Sequence, residues 1–147
     1  MRVPRFAAIA AILVAASAVG ACATAPTQEM SDARQAINSA RSADAASYAP
    51  RSMSSAEQLL DQAERSLKAG RYDVARDDAL EARQAAMKAR EVAVAIADAR
   101  AAVEEAKSRG GTWAGAQRLV DEAKAAGRQG DETRAWELAT EAKRRLQ

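Results

Sequence analysis

From Asp73 to Lys107 the sequence contains neither glycine nor proline. Within that stretch Ala75, Ala79, Ala82, Ala86, Ala89 and Ala93 recur in alternating steps of four and three. Such spacing lines six methyl groups along one stripe of a single helix, a heptad-like seam with Leu80, Met87 and Val94 alongside it. Small seam residues let a neighbouring helix approach near the lower end of the usual range of about 8–10 Å. The seam is therefore predicted to be a packing surface rather than a ligand groove. The same periodicity recurs elsewhere: in Ala33, Ala36, Ile37 and Ala40; in Ala56, Leu59, Leu60, Ala63 and Leu67; and in Ala116, Leu119, Val120 and Ala123. Beyond Met30 the chain is rich in Ala, Arg, Glu, Gln and Leu, all strong helix formers. Aromatic residues make up only 3% of it, and nothing resembles a strand.

Breaks fall at Tyr48-Ala49-Pro50, Gly70, Gly110-Gly111 and Gly127/Gly130. Pro50 is expected to end a helix, Ser52, Ser54 or Ser55 to cap the next, and Gly70 to close it. The expected fold is all-α, an antiparallel bundle of helical hairpins with one long central helix. Five helices are predicted, near 31–47, 53–69, 72–108, 114–128 and 132–146.

The pattern is written twice. Leu59-Leu60-Asp61-Gln62-Ala63-Glu64 matches Leu119-Val120-Asp121-Glu122-Ala123-Lys124. At the same offset Gly70 matches Gly130, Ala75 matches Ala135, Ala79 matches Ala139, and Glu81-Ala82-Arg83 matches Glu141-Ala142-Lys143. Upstream, Ala33-Arg34, Ala36-Ile37 and Ala40-Arg41 match Ala99-Arg100, Ala102-Val103 and Ala106-Lys107, and Tyr48-Ala49-Pro50 is aligned with Trp113-Ala114-Gly115 across a shorter loop. The helical domain thus spans 31–147, with one repeat at about 31–96 and a second at about 97–147. The last helix of the first runs straight into the second.

The N-terminus has a different character. Arg2 and Arg5 precede an uncharged apolar run from Phe6 to Val19, which closes on Val19-Gly20-Ala21-Cys22. The run is too short for a bilayer-spanning helix, which needs roughly 20 apolar residues. A positive flank, a short apolar core and small residues before the cut are the signal-peptide pattern. It resembles a bacterial lipoprotein signal, with 1–21 removed and Val19, Gly20 and Ala21 forming the lipobox. That resemblance implies diacylation of Cys22, the only cysteine, whose thiolate is the required nucleophile. An ordinary secretory signal cleaved nearby is the alternative. Residues 22–30 read as the lipidated cysteine and a flexible tether. Ala23 follows Cys22, where enterobacterial-type lipoproteins retained at the inner membrane have Asp; the resemblance therefore implies the outer membrane, facing the periplasm.

Composition narrows the chemistry. Histidine is absent, which removes the commonest general base and metal ligand. Ser-His-Asp and Cys-His arrangements are excluded, as is a His/Cys zinc site. The acid pairs Asp77-Asp78 and Glu104-Glu105 are adjacent in sequence and diverge on a helix, so neither forms a dyad. Taking away Arg2 and Arg5 brings the 22 basic residues level with the 20 acidic ones, which argues against nucleic-acid binding. No enzyme activity, cofactor, metal or small-molecule substrate is expected.

With the lipobox, Ala33-Arg34-Gln35-Ala36-Ile37, Tyr48-Ala49-Pro50 and Leu67-Lys68-Ala69-Gly70-Arg71-Tyr72-Asp73-Val74-Ala75 in view, the chain resembles the DUF4398 family over about residues 20–100. That resemblance implies an uncharacterised lipoprotein domain of Gram-negative bacteria, sometimes fused to OmpA-like peptidoglycan-binding domains. Peptidoglycan binding does not carry over, because no OmpA-like sequence follows here. Gly70 to Ala75 also resembles the turn of tetratricopeptide repeats, which implies TPR-like hairpins. The Arg145-Leu146-Gln147 end argues against covalent peptidoglycan attachment through a terminal Lys.

Three aromatic residues are candidate partner contacts: Tyr48, Trp113 and Trp136. Tyr48 and Trp113 read more readily as plugs for the open ends of their hairpins. Trp136 stands where the first repeat has Arg76, so the repeat itself does not require an aromatic there. The interleaved Arg and Lys residues read as a solvated face with i,i+4 pairs. The expected function is a membrane-anchored, non-catalytic envelope scaffold or adaptor that binds another envelope protein through helical faces. The alternatives are a spacer self-associating through the alanine seam and an accessory that contacts peptidoglycan.

Overall fold

The alanine stripe of 75–93 is fully enclosed: each of its six residues is at most 1% exposed. It lies on a helix that runs from Tyr72 to Ser108. The computed structural model describes residues 24–147, and the signal peptide, Val19, Gly20, Ala21 and Cys22 lie outside the described residues. The helices are α1 (Thr27–Ser42), α2 (Ala45–Tyr48), α3 (Pro50–Lys68), α4 (Tyr72–Ser108), α5 (Ala114–Arg128) and α6 (Glu132–Arg144). The fold is all-α, and α4 is its central element. At about 1.5 Å per residue, α4 spans about 55 Å.

Cross-helix contacts give the directions. Arg76, near the start of α4, pairs with Glu29 at the start of α1 (3.0 Å), and Met30 packs with Ala79 and Ala82, so α1 and α4 run parallel. Arg34–Glu64 (2.9 Å) and Arg41–Glu57 (2.7 Å) set α3 antiparallel to α1. In the second half, Lys107 bonds Gln117 (3.3 Å) and Lys124 sits beside Arg100, so α5 is antiparallel to α4. Lys143 pairs with Asp98 (2.8 Å) while Glu132 lies near Lys88, so α6 is parallel to α4. The result is two three-helix units built end to end on α4: α1, α3 and its first half; then its second half, α5 and α6. Most buried hydrophobic side chains are alanines, and the larger ones are Met30, Ile37, Met53, Val92, Ile96, Val103 and Val120.

The repeat extends to the turns. Gly70 (φ 72°) and Gly130 (φ 80°) both take the left-handed conformation. Each is followed by an amide that reaches back to a carbonyl of the last helical turn: Arg71 N–H to Ser66 (2.9 Å) and Asp131 N–H to Ala126 (2.9 Å). This is the six-to-one bond of a Schellman cap. Gly110 (φ 69°) ends α4 in the same way, and its counterpart after α1 is Asp44 (φ 60°). Asp44 bears the side-chain penalty that glycine avoids. Its carboxylate accepts from the Ser47 hydroxyl (2.7 Å).

Several expectations are corrected. The predicted 31–47 helix is two helices, because Asp44 turns left-handed between them. Helix α1 starts at Thr27, and Met30 is 1% exposed; the tether expected at 22–30 therefore loses its second half to the fold. Pro50 begins α3 at N1 instead of ending its predecessor, a position where its missing N–H costs nothing. No serine side chain caps α3. Helix α6 stops at Arg144.

Gly127 is a helical residue rather than a break. A Cβ placed there would stand 2.3 Å from the Tyr48 carbonyl oxygen, so glycine lets α5 abut α2 at the waist between the units. Gly127→Ala gains roughly 1 kcal/mol of helix propensity. Against a backbone obstacle it should nonetheless lose stability by about 1–2 kcal/mol net; a denaturation midpoint at or above wild type would contradict this packing.

Candidate functional site

Flanking the buried seam, α4 carries a second apolar row. Leu80, Met87 and Val94 are seven residues apart and share a face. Leu80 is 39% and Met87 54% exposed. Because α6 runs parallel beside α4, it brings Trp136 (40% exposed) to this row. Met87, Val94, Ala95 and Trp136 line an open groove of about 630 Å³. Gln84, Lys88, Arg90, Glu91 and Asp98 rim it with both signs of charge. The Lys143–Asp98 ion pair spans α6 and α4 at the same end; half exposed, it contributes at most about 1 kcal/mol. Helix α6 is set by its N-terminus, where the Asp131 carboxylate accepts from Arg134 N–H (3.2 Å).

The three aromatic candidates are not brought together. Trp136 lies midway along the molecule. Trp113 lies at the far end, as N-cap of α5, and is 38% exposed with the Lys107 ammonium 4.7 Å from its ring centroid. Tyr48 ends α2 at the waist, half-buried and packed against the main core. The expected equivalence of Tyr48 and Trp113 is corrected: the N-cap of α3 corresponding to Trp113 is Ala49. Arg76, the counterpart of Trp136, donates to Glu29 and to the Thr24 carbonyl. Sequence reasoning placed Leu80, Met87 and Val94 beside the seam but did not see that Leu80 and Met87 are exposed, with Val94 half-buried next to them. The signal was available in their exact seven-residue spacing, each one position after a seam alanine.

The waist holds the one buried acidic side chain among the described residues. Glu132, 5% exposed, accepts from the Ser52 amide (2.8 Å) and from the Ser52 hydroxyl. Ser52 sits at the third position of α3, so a carboxylate from the second unit satisfies an orphan amide and faces the positive helix end of the first. Two exposed carboxylates are held below the usual carboxylate range: Asp121 mainly by the Gln117 amide, and Glu141 by Arg145 and then Arg144. Among the described residues no cluster of His, Cys, Asp and Glu is placed to hold a metal. None of the described helices is long and apolar enough to cross a membrane.

No curated protein and no solved structure matches the chain. Residues 28–95 match the family described as "Domain of unknown function (DUF4398)". The match runs from the first turn of α1 into the middle of α4, covering the first three-helix unit, while α5 and α6 lie beyond it. From α1 through the first half of the alanine-seamed α4, the chain is therefore similar to the DUF4398 family.

Proposed function

We propose that this protein is a lipoprotein of the outer membrane, held on the periplasmic side by acylated Cys22, that serves as a non-catalytic scaffold or adaptor through helical protein–protein contacts. The observation that carries this reading is the row of exposed Leu80 and Met87 and half-buried Val94, with Trp136 beside it. Apolar anchors at heptad spacing suit an amphipathic helix laid into a groove. A half-exposed Trp is the residue type that most often dominates such contacts. The mixed-charge rim suits a partner helix with charged flanks. The alanine seam is buried within the molecule, which favours the adaptor over self-association through it.

The test is photo-crosslinking in cells from a reactive side chain at Met87 or Trp136, with Arg109 as a control position and Cys22→Ser as a control strain. One envelope protein should be captured from Met87 and Trp136, not from Arg109, and lost without the anchor. Trp136→Ala should weaken that capture tenfold or more, as removal of about 2 kcal/mol of hot-spot contact does. Recovery of self-crosslinks alone would overturn the adaptor in favour of a self-associating spacer.

A further inference from the structure

The chain leading to the described body leaves almost no slack. Pro26 is fully buried, Met30 is 1% exposed, and Met30 N–H donates to the Pro26 carbonyl (3.0 Å). Two residues before Pro26, the Thr24 carbonyl accepts from Arg76 of α4 (3.1 Å), which also holds Glu29. Only two residue steps separate Thr24 from Cys22, at most about 7 Å of chain. A domain so held cannot swing far from its anchor.

The end of the molecule next to Thr24 is defined by the same contacts. It comprises the start of α1, the end of α3, the Gly70 turn and the start of α4. The turn carries Arg65, Lys68 and Arg71, all exposed, and none makes an ion pair among the described residues. Of the acids at this end, Glu29 and Asp73 are engaged by Arg76, while Asp61 and Asp77, a turn further into α3 and α4, make no ion pair among the described residues. The short link and these three cations, none ion-paired among the described residues and only Arg71 hydrogen-bonded (to the Ser66 hydroxyl, 3.4 Å), therefore meet at one end.

We infer that the protein docks on an anionic lipid surface through this end, with Lys68, Arg71 and Arg65 against headgroup phosphates and α4 directed away from the bilayer. This rests on the proposed acylation of Cys22. Basic side chains within a Debye length of anionic lipid are attracted to it. Docking of this kind holds the Trp136 groove at a fixed height and carries Trp113 to the distal tip, about 55 Å away along α4.

The experiment uses the full lipidated protein in vesicles of phosphatidylethanolamine and phosphatidylglycerol. The Cys22 sulfur is occupied by lipid, so single donor labels are placed through Ala69→Cys in the turn and Arg109→Cys at the far end, with acceptor lipids in the bilayer. Transfer from position 69 should exceed that from 109 by about threefold or more, given the separation along α4. A thirty-residue Gly/Ser insertion before Thr24, with roughly 30 Å of flexible reach, should bring the two signals together. Lys68→Glu with Arg71→Glu should lower transfer from 69 about twofold in the same vesicles, because it reverses the attraction to anionic lipid. Equal transfer from both positions in protein that floats with the vesicles would overturn the docking while leaving the anchor standing. Failure to float would overturn the anchor and the docking with it. An unchanged signal in the charge-reversed protein would overturn the assignment of these cations to lipid.

Discussion

Ala86→Leu is expected to lower stability by about 3 kcal/mol, the upper part of the usual range for overpacking, and the melting temperature by about 10 °C for a domain of this size. Ala86 is 0% exposed, and the seam on either side of it is alanine. The neighbouring helices contribute alanines as well, Ala40 and Ala56 among them in the same cluster. The same cluster holds Ile37 and Met53, of which only Met53 is flexible, so most of the added volume must be taken up by separation of the helices. That separation would loosen the methyl contacts along the whole of the first unit, since the seam works by uniform close approach. The adjacent Met87 supplies the control. It is 54% exposed, and Met87→Leu should stay within about 0.5 kcal/mol, as surface substitutions do. Urea denaturation followed by circular dichroism checks both. An Ala86→Leu protein as stable as wild type would mean that the helices are not closely seamed.

How legible this was in the sequence varies with the physical source of each feature. Helices α4 and α5 occupy the predicted 72–108 and 114–128 because local signals set them: strong helix formers inside, left-handed glycines outside. The repeat was readable for the same reason, and it aligns Gly70 with Gly130. It also aligns Asp44 with Gly110, but an aspartate gives no glycine-like stop signal, so α1 and α2 read as one helix. Pro50 has two local meanings, and proximity to a preceding helix suggested the wrong one. Gly127 looked like a break because its reason lies 79 positions away in sequence, at the Tyr48 carbonyl. The candidate groove was only half legible. The heptad spacing of Leu80, Met87 and Val94 is local, whereas the arrival of Trp136 beside them depends on α6 running parallel to α4.

Glu132→Ala is expected to cost about 2–4 kcal/mol, since hydrogen bonds to a charged group contribute roughly 1.5–3 kcal/mol each and part of that offsets the carboxylate's own desolvation. Two groups lose their acceptor at once: the Ser52 amide and the Ser52 hydroxyl. Ser52 is itself only 8% exposed, so water does not readily replace the carboxylate. The hydroxyl can rotate to another acceptor, but the amide is fixed by α3. Ser52→Ala should therefore be milder, about 1 kcal/mol, because the amide keeps its carboxylate. Adding it to Glu132→Ala should cost little more, leaving a coupling of about 1 kcal/mol in a double-mutant cycle. Strictly additive losses would show that the Ser52 hydroxyl has no part in the cost of losing Glu132, leaving the amide to account for it. The first repeat has Tyr72 where the second has Glu132, so this contact belongs to no repeat. It exists because the second unit must present an acceptor to the exposed start of α3, and it ties the matched DUF4398 segment to the helices beyond it.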